Sequence, residues 1–310
     1  MEATIEALVA LGHELRVRGY RFVAITPASH QRVLHRGGES TTLESVFGWN
    51  RRFERDTVDQ RVFALLEKAE QLEAENGRFR SKVRFATIGD LLFVHSAFPT
   101  VSRDAVFFGP DTYRFARALR LALTDMTVAE TFTLFDIGCG SGAGGLFAAT
   151  QLLPCQANII LSDVNEKALR FSRINAILNG FPGAQTVQSD VFEGLHGPAD
   201  LIISNPPYLV DRHQRLYCHG GGELGLALSL SIAQQSLDRL APGGRLVLYT
   251  GTPIIAGTDA FFEAVRPALQ SRGHRYSYEE IDPDVFGEEL DTPAYERADR
   301  IAAVVLTVTN

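Results

Sequence analysis

The sequence predicts an α/β protein, with a doubly wound, mostly parallel sheet over residues 106–310 and a smaller α+β module over residues 1–105 before it. Three observations carry this. Beyond Asp111, short apolar runs alternate with helical patterns. Glycine, aspartate and proline clusters stand at the ends of those runs. Before residue 105 the pattern is mixed, with helical stretches and one clear hairpin. Strands alternating with helices imply right-handed βαβ units on a parallel sheet, whose ligands bind at the carboxyl ends of the strands.

In the first module, Ile5 to Arg18 places Ile5, Leu8, Val9, Leu11 and Leu15 among charges and predicts a helix. Arg21 to Ile25 is a strand candidate closed by Pro27. Thr57 to Glu75 predicts an amphipathic helix with Val58, Val62, Phe63, Leu65, Leu66 and Leu72 on one side. Val83–Ile88 and Leu91–His95 flank Gly89-Asp90, a two-residue hairpin signal.

In the second part, Tyr113 to Leu123 predicts a helix. Strands follow at Thr131–Ile137, Asn158–Leu161, Gln185–Val187, Leu201–Ser204 and Arg245–Tyr249. Helices are expected at Glu166–Leu178, Leu228–Leu240 and Phe261–Gln270. Tyr276–Ile281 and Arg300–Val308 read as a closing strand pair.

The 310 residues are 45% hydrophobic and 22% charged, a globular balance. Glu2, Glu6 and Glu14 interrupt the first fifteen residues, so no secretory leader is expected. No apolar run approaches the ~18–20 residues of a membrane span. Cys139, Cys155 and Cys218 form no C-x-x-C pair and predict free thiols in a reducing, cytoplasmic setting. Residues 1–115 carry 16 basic and 15 acidic side chains, and residues 116–310 carry 14 and 22. Neither part is basic in the way of a protein that grips a long phosphate backbone, so charge does not favour nucleic acid as a partner. His95, His213 and His219 are isolated, and no metal site is expected.

The first motif is Asp136-Ile137-Gly138-Cys139-Gly140-Ser141-Gly142, where a strand ends and a helix begins. Glycines there let the chain turn tightly and let a ligand approach the backbone. Asp163 ends the next strand, where a carboxylate can accept both ribose hydroxyls of a nucleoside. Spacing alone leaves two classes open. Gly140, Gly142 and Gly145 also satisfy G-x-G-x-x-G, as in a nicotinamide-dependent oxidoreductase.

The Asp-x-Gly-x-Gly-x-Gly pattern resembles the first motif of the class I S-adenosylmethionine methyltransferases, which place an acid before the first glycine. That resemblance implies a seven-stranded Rossmann-like sheet with S-adenosylmethionine as cofactor. It implies that Asp136 lies near the methionine ammonium and that Gly138, Gly140 and Gly142 cradle the ligand. Ser162 to Gly180, with Asp163, Asn165, Asn175 and Asn179-Gly180, is similar to the second segment of these enzymes. Asp190, after the third strand, matches the acid that meets the adenine amino group.

Asn205-Pro206-Pro207-Tyr208 follows the fourth strand and is the sharpest signal in the chain. Two prolines freeze the backbone and remove two donors. The Asn205 side-chain carbonyl and a nearby backbone carbonyl form two fixed acceptors that can hold both hydrogens of one NH2 group. Tyr208 can stack on the flat group bearing that nitrogen. Fixing the lone pair toward a methyl donor supplies much of the rate. This NPPY tetrad resembles that of amino-methyltransferases acting on nucleobase amines or on the glutamine of release factors, the HemK-type enzymes of the methyltransferase small domain family. The implied substrate carries a planar amino or amide nitrogen on a protein, a nucleobase or a small molecule. An enzyme that uses the same cofactor for a transfer other than methyl would look the same.

Gly221-Gly222-Glu223-Leu224-Gly225-Leu226 resembles the GG-x-x-GL that follows NPPY in the HemK-like branch, and Tyr217 to Gly222 reads as a loop close to the active site whose glycines serve mobility. Phe108-Gly109-Pro110-Asp111-Thr112-Tyr113 resembles that branch's R-P-x-T-E segment, with Gly109 in place of the arginine and Tyr113 in place of the glutamate. Asp111 or Thr112 reads equally as a helix cap. The resemblance covers about residues 106–310 and leaves the first 105 unmatched. In that first part, Phe47, Trp49, Arg51, Arg52, Phe53 and Arg55 read as a partly buried helix entry with solvated arginines, or as a contact for a nucleotide or an acidic substrate. Asp282–Asp291 is an acidic insertion before the last strand, read as solvated charge or as a lid over the substrate.

Overall fold

Helical patterns and hairpin turns build the first hundred residues in the computed structural model, which describes residues 2–38 and 41–310. Helix α1 (Glu2–Val17) buries Ile5, Leu8, Leu11 and Leu15 as its spacing requires. A second helix, α2 (Pro27–His35), is not among the expected elements. Thr26 caps it by accepting the N–H of Ser29 at 3.2 Å, and Pro27 opens its first turn. Arg21–Ile25 is extended but joins no sheet; its tie to the hairpin runs through Phe22, whose carbonyl accepts the N–H of Thr87 at 2.8 Å.

The expected helix over 57–75 is shorter. Helix α3 spans Gln60–Lys68, capped by Asp59. Glu70 then turns left-handed at φ 57°, and Leu72–Glu75 becomes β1, paired with β2 (Arg78–Ser81) around Asn76-Gly77. The second hairpin, β3 (Val83–Ile88) and β4 (Leu91–Ser96), forms as expected around Gly89 at φ 57°.

The remaining chain alternates in the expected order. Helix α4 (Pro110–Ala122) leads into β5 (Thr131–Ile137), α5 (Ala143–Gln151), β6 (Gln156–Asp163), α6 (Glu166–Leu178), β7 (Gln185–Gln188) and β8 (Ala199–Ser204). Then come α7 (Ala227–Leu237), β9 (Leu240–Ile255), the two-residue β10 (Thr258–Asp259), α8 (Ala260–Arg272), β11 (Arg275–Asp282) and β12 (Arg300–Thr309). The main sheet runs β11-β12-β9-β8-β5-β6-β7, with β10 hung on β9 as an eighth strand. Pairs from β9 to β7 are parallel, and β12 is antiparallel to both its neighbours.

Alternate residues of each strand feed two cores. Leu134, Leu161, Ile203 and Val247 face α4 and α5, while Phe135, Ile160, Ile202 and Leu246 face α7 and α8. Helices on both faces make the sheet doubly wound. A third core joins the N-terminal residues to the sheet. Leu8, Leu11, Phe63 and Phe85 pack with Ala168, Phe171, Ile174 and Leu178 of α6. The β4 edge also ends on α6. The Asn175 and Asn179 amides bond the main-chain groups of Val94 and Leu92. Within the first module, Phe47 and Phe53 are buried, Trp49 packs on Phe22 and His30, and Arg51 donates to the carbonyl of Val33.

Candidate active site

The chain reverses direction across the sheet after β7, and β5 and β8 lie side by side at that switch. At their carboxyl ends opens a cavity of about 390 Å³. Its wall includes Asp136, Gly138, Gly140, Asp163, Asp190, Asn205, Pro206, Pro207 and Tyr208. Gly142 stands apart. At φ 74° it precedes α5 as its cap, and a Cβ there would lie 3.0 Å from Cβ of Ser172. It shapes the turn and does not border the cavity. A larger, more open cleft of about 720 Å³ between α4 and β11 contains none of the candidate residues.

Asp136, the last residue but one of β5, is buried. Its Oδ2 accepts the N–H of Gly145 at 2.8 Å. Burial raises its carboxyl to about 7, with the Gly145 bond opposing and nearby Asp163 adding to the rise. A Cβ at 145 would press within 3.1 Å of this carboxylate and 2.7 Å of Leu161. Gly145 therefore serves packing.

Asp163 ends β6 and ties the glycine loop down. Oδ2 accepts the N–H of Gly140 and Oδ1 that of Asn165, both at 2.9 Å. Burial raises its pKa against these two bonds. Asp190 follows β7 as an exposed carboxylate on the cavity rim. Gly138 at φ 68° and Gly140 at φ 55° have nothing within 4 Å of where a Cβ would point. The site thus offers open backbone flanked by the buried carboxylate of Asp136 and the half-buried one of Asp163, neither with a cationic partner among the described residues. An adenosyl amino acid suits such a site, having ribose hydroxyls and an ammonium to offer.

At the end of β8, the Asn205 side chain lines the cavity and makes no hydrogen bond among the described residues, so its amide is free for a ligand. Tyr208 lines the cavity, and its hydroxyl is committed to Asp111 Oδ2. Phe286 meets that ring edge-on at 5.9 Å. Phe286, Glu288 and Glu289, all in the acidic insertion, line the same cavity.

The glycines that follow NPPY pack closely against its backbone. Gly220 donates to the carbonyl of Leu209 at 2.8 Å, and Leu209 donates to that of Cys218 at 3.1 Å. A Cβ on Gly220 would lie 2.6 Å from the carbonyl oxygen of Pro207, and one on Gly225 2.4 Å from that of Tyr208. These glycines permit close packing against the NPPY backbone.

Several wall residues are not singled out by sequence reasoning. Pro27 comes from α2, a helix it does not foresee, and Phe286 from the insertion. Asp111 is visible only through the segment that resembles R-P-x-T-E.

Comparison with known proteins places these features in a family. The methyltransferase small domain matches residues 102–256, half the chain. A release factor glutamine methyltransferase of Deinococcus radiodurans is 34% identical over 170 residues, covering 50% of this chain and 60% of that protein. A ribosomal RNA small subunit methyltransferase C of Serratia proteamaculans is 32% identical over 113 residues, covering 36% of this chain and 29% of that protein. The matched part therefore spans less than two thirds of either relative. The solved structure of Trm5b from Pyrococcus abyssi shares the fold at a TM-score of 0.50 and 14% identity, over 80% of this chain and 68% of that one. With its glycine loop, acids and NPPY tetrad at the ends of β5, β6, β7 and β8, the chain belongs to the methyltransferase small domain family.

Proposed function

We propose that the protein is an S-adenosylmethionine-dependent methyltransferase acting on a planar NH2-type nitrogen. The observation that carries this is convergence: Asp136, Asp163, Asp190 and Asn205 to Tyr208 all line one cavity at the carboxyl ends of adjacent strands. Bound S-adenosylmethionine would supply an electrophilic methyl group on a sulfonium. Asp136 would hold the ammonium of its amino-acid part, Asp163 the ribose hydroxyls and Asp190 the adenine amino group. The Asn205 amide oxygen and a carbonyl of the rigid Pro206-Pro207 stretch accept the two hydrogens of the substrate NH2. That aims the nitrogen lone pair at the methyl carbon, and the ring of Tyr208 flanks the planar group. No general base is required of the residues present, since the substrate nitrogen would release its proton after transfer. Acceptors that suit the tetrahedral nitrogen better than the planar one lower the barrier.

The names of the relatives indicate two acceptor classes, the glutamine of a release factor and ribosomal RNA; a small-molecule amide is a third. Residues 1–105 are the natural selector among them, since Pro27 reaches the cavity wall. The three free cysteines fit work in the cytoplasm. No helix among the described residues is long and apolar enough to cross a membrane.

The test is isothermal titration with S-adenosylhomocysteine and, as comparison, NAD. Micromolar binding of the first and none of the second is expected. Tritiated methyl transfer to a glutamine peptide, an oligonucleotide and free amides would then assign the acceptor. Binding of NAD alone would overturn the reading in favour of a nicotinamide oxidoreductase.

A further inference from the structure

Asp111 joins three elements around the NPPY tyrosine. It is the second residue of α4. Its Oδ2 accepts the hydroxyl of Tyr208, which follows β8, and its Oδ1 accepts the hydroxyl of Tyr249 on β9 at 2.9 Å. Arg114, one turn along, donates to the same Oδ1 at 2.9 Å. Arg114 also reaches Asp282 Oδ2 at 2.9 Å, where β11 ends and the stretch carrying Phe286 begins.

The Tyr208 ring is confined on its other sides as well. A Cβ on Gly251 would lie 2.3 Å from both Cδ2 and Cε2 of the ring, so only glycine leaves it room. Phe286 closes one edge at 5.9 Å, and Tyr249 stands 6.3 Å away.

We propose that Asp111 is a positioning residue for the acceptor site, fixing the plane and depth of the Tyr208 ring through its hydroxyl. The proposal rests on the reading of NPPY as the acceptor site. A carboxylate in the first helical turn is favoured by the unpaired N–H groups there, and Arg114 balances its charge. The two hydroxyls take one carboxylate oxygen each, and Tyr208 is the one donor to Oδ2 among the described residues, so a swing of its ring would leave that oxygen short of a donor. An aromatic ring tethered at its far end loses its freedom before the acceptor arrives, which lowers the cost of ordering it on binding. The Tyr208 hydroxyl then has no part in holding the acceptor; the ring alone borders it.

The test uses the full chain with its eight tyrosines replaced by 3-fluorotyrosine. Fluorine resonances are assigned by Tyr208→Phe and Tyr249→Phe. In Asp111→Asn and Asp111→Ser, the Tyr208 and Tyr249 signals are expected to shift or broaden, while those of Tyr20 and Tyr278 stay in place. S-adenosylhomocysteine affinity is expected to stay within about threefold. An unmoved Tyr208 signal in both variants would overturn the proposal, as would an equal shift of every tyrosine, which marks general loosening. Failure of the wild-type chain to bind S-adenosylhomocysteine would instead overturn the functional reading, and the fluorine result would still decide whether Asp111 holds Tyr208.

Discussion

Asn175 holds both main-chain groups of Val94: its Oδ1 accepts the N–H at 2.7 Å and its Nδ2 donates to the carbonyl at 3.0 Å. The same Nδ2 donates to the carbonyl of Ser141 in the glycine loop at 2.9 Å. A fully buried amide thus stands in for a neighbouring strand along β4 and braces the loop that borders the cavity. Asn175→Ala would leave one N–H and two carbonyls short of partners. The expected loss is about 3 kcal/mol of unfolding free energy, read as a lower urea midpoint at unchanged slope.

Asn205 and Asp163 are expected to separate chemistry from cofactor binding. Asn205→Ala should abolish methyl transfer and leave S-adenosylhomocysteine affinity within several-fold. Asp163→Ala should weaken that affinity about ten- to hundredfold, the scale of a lost charged hydrogen bond. Titration calorimetry on both variants checks this, and equal loss of affinity in the two would contradict the assigned roles.

Asp136 makes ligand binding depend on pH. Its folded-state pKa is raised to about 7, so below that value the carboxyl is protonated and offers no charge to an ammonium. Affinity for S-adenosylhomocysteine is expected to rise between pH 6 and pH 8, and Asp136→Asn should flatten the rise. In the unliganded protein the raised pKa works against stability. The folded state binds the extra proton between the ordinary carboxyl range and about 7, so stability falls as pH rises through that window. Calorimetry and thermal melts across pH 5.5–8.5 read both effects.

His30 and His95 set the opposite slope. Both are buried, and burial together with Arg84 lowers His30 to about 4 and His95 well below its usual value. The unfolded chain takes up protons near 6.5 that the folded one refuses. The stabilising contribution is therefore complete above 6.5 and is lost as pH falls toward 4. Melting temperature is expected to drop over that range, and less steeply in His30→Phe, whose ring can keep the contact with Phe98 at 4.2 Å.

Gly251→Ala is expected to push Tyr208 off its seat, since the added methyl would lie 2.3 Å from the ring. A cost of about 1–3 kcal/mol follows from such overpacking. Methyl transfer should fall further than stability, and comparing turnover with the urea midpoint distinguishes the two.

The sheet is legible in the sequence because each strand is a buried apolar run and each motif closes one. Asp136, Asp163, Asp190 and Asn205 can therefore be assigned to strand ends from residue order alone. The first module is harder to read. The apolar spacing of Val58, Val62, Phe63, Leu66 and Leu72 continues past the point where Glu70 turns left-handed, and no side-chain signal marks that residue. Two signals that the sequence does carry, and that the expected elements leave out, are Asn76-Gly77 as a hairpin turn and Thr26-Pro27 as the cap and first turn of α2. Asp111 reads as a helix cap because its partners, Tyr208 and Tyr249, lie 97 and 138 residues away. The close packing of Gly220 and Gly225 against the NPPY backbone is not legible, because composition does not reveal which backbone lies against a glycine.

The core shared between α1, the β3–β4 hairpin and α6 means that the two halves of the chain are not interchangeable parts. A chain beginning at residue 106 would carry Ala168, Phe171, Ile174 and Leu178 bare along one side of α6. A foreign recognition module could not be grafted there without rebuilding that side. New acceptor preferences would have to arise by substitution in place, at positions such as Pro27 or the 286–289 stretch, with the N-terminal half and α6 inherited together.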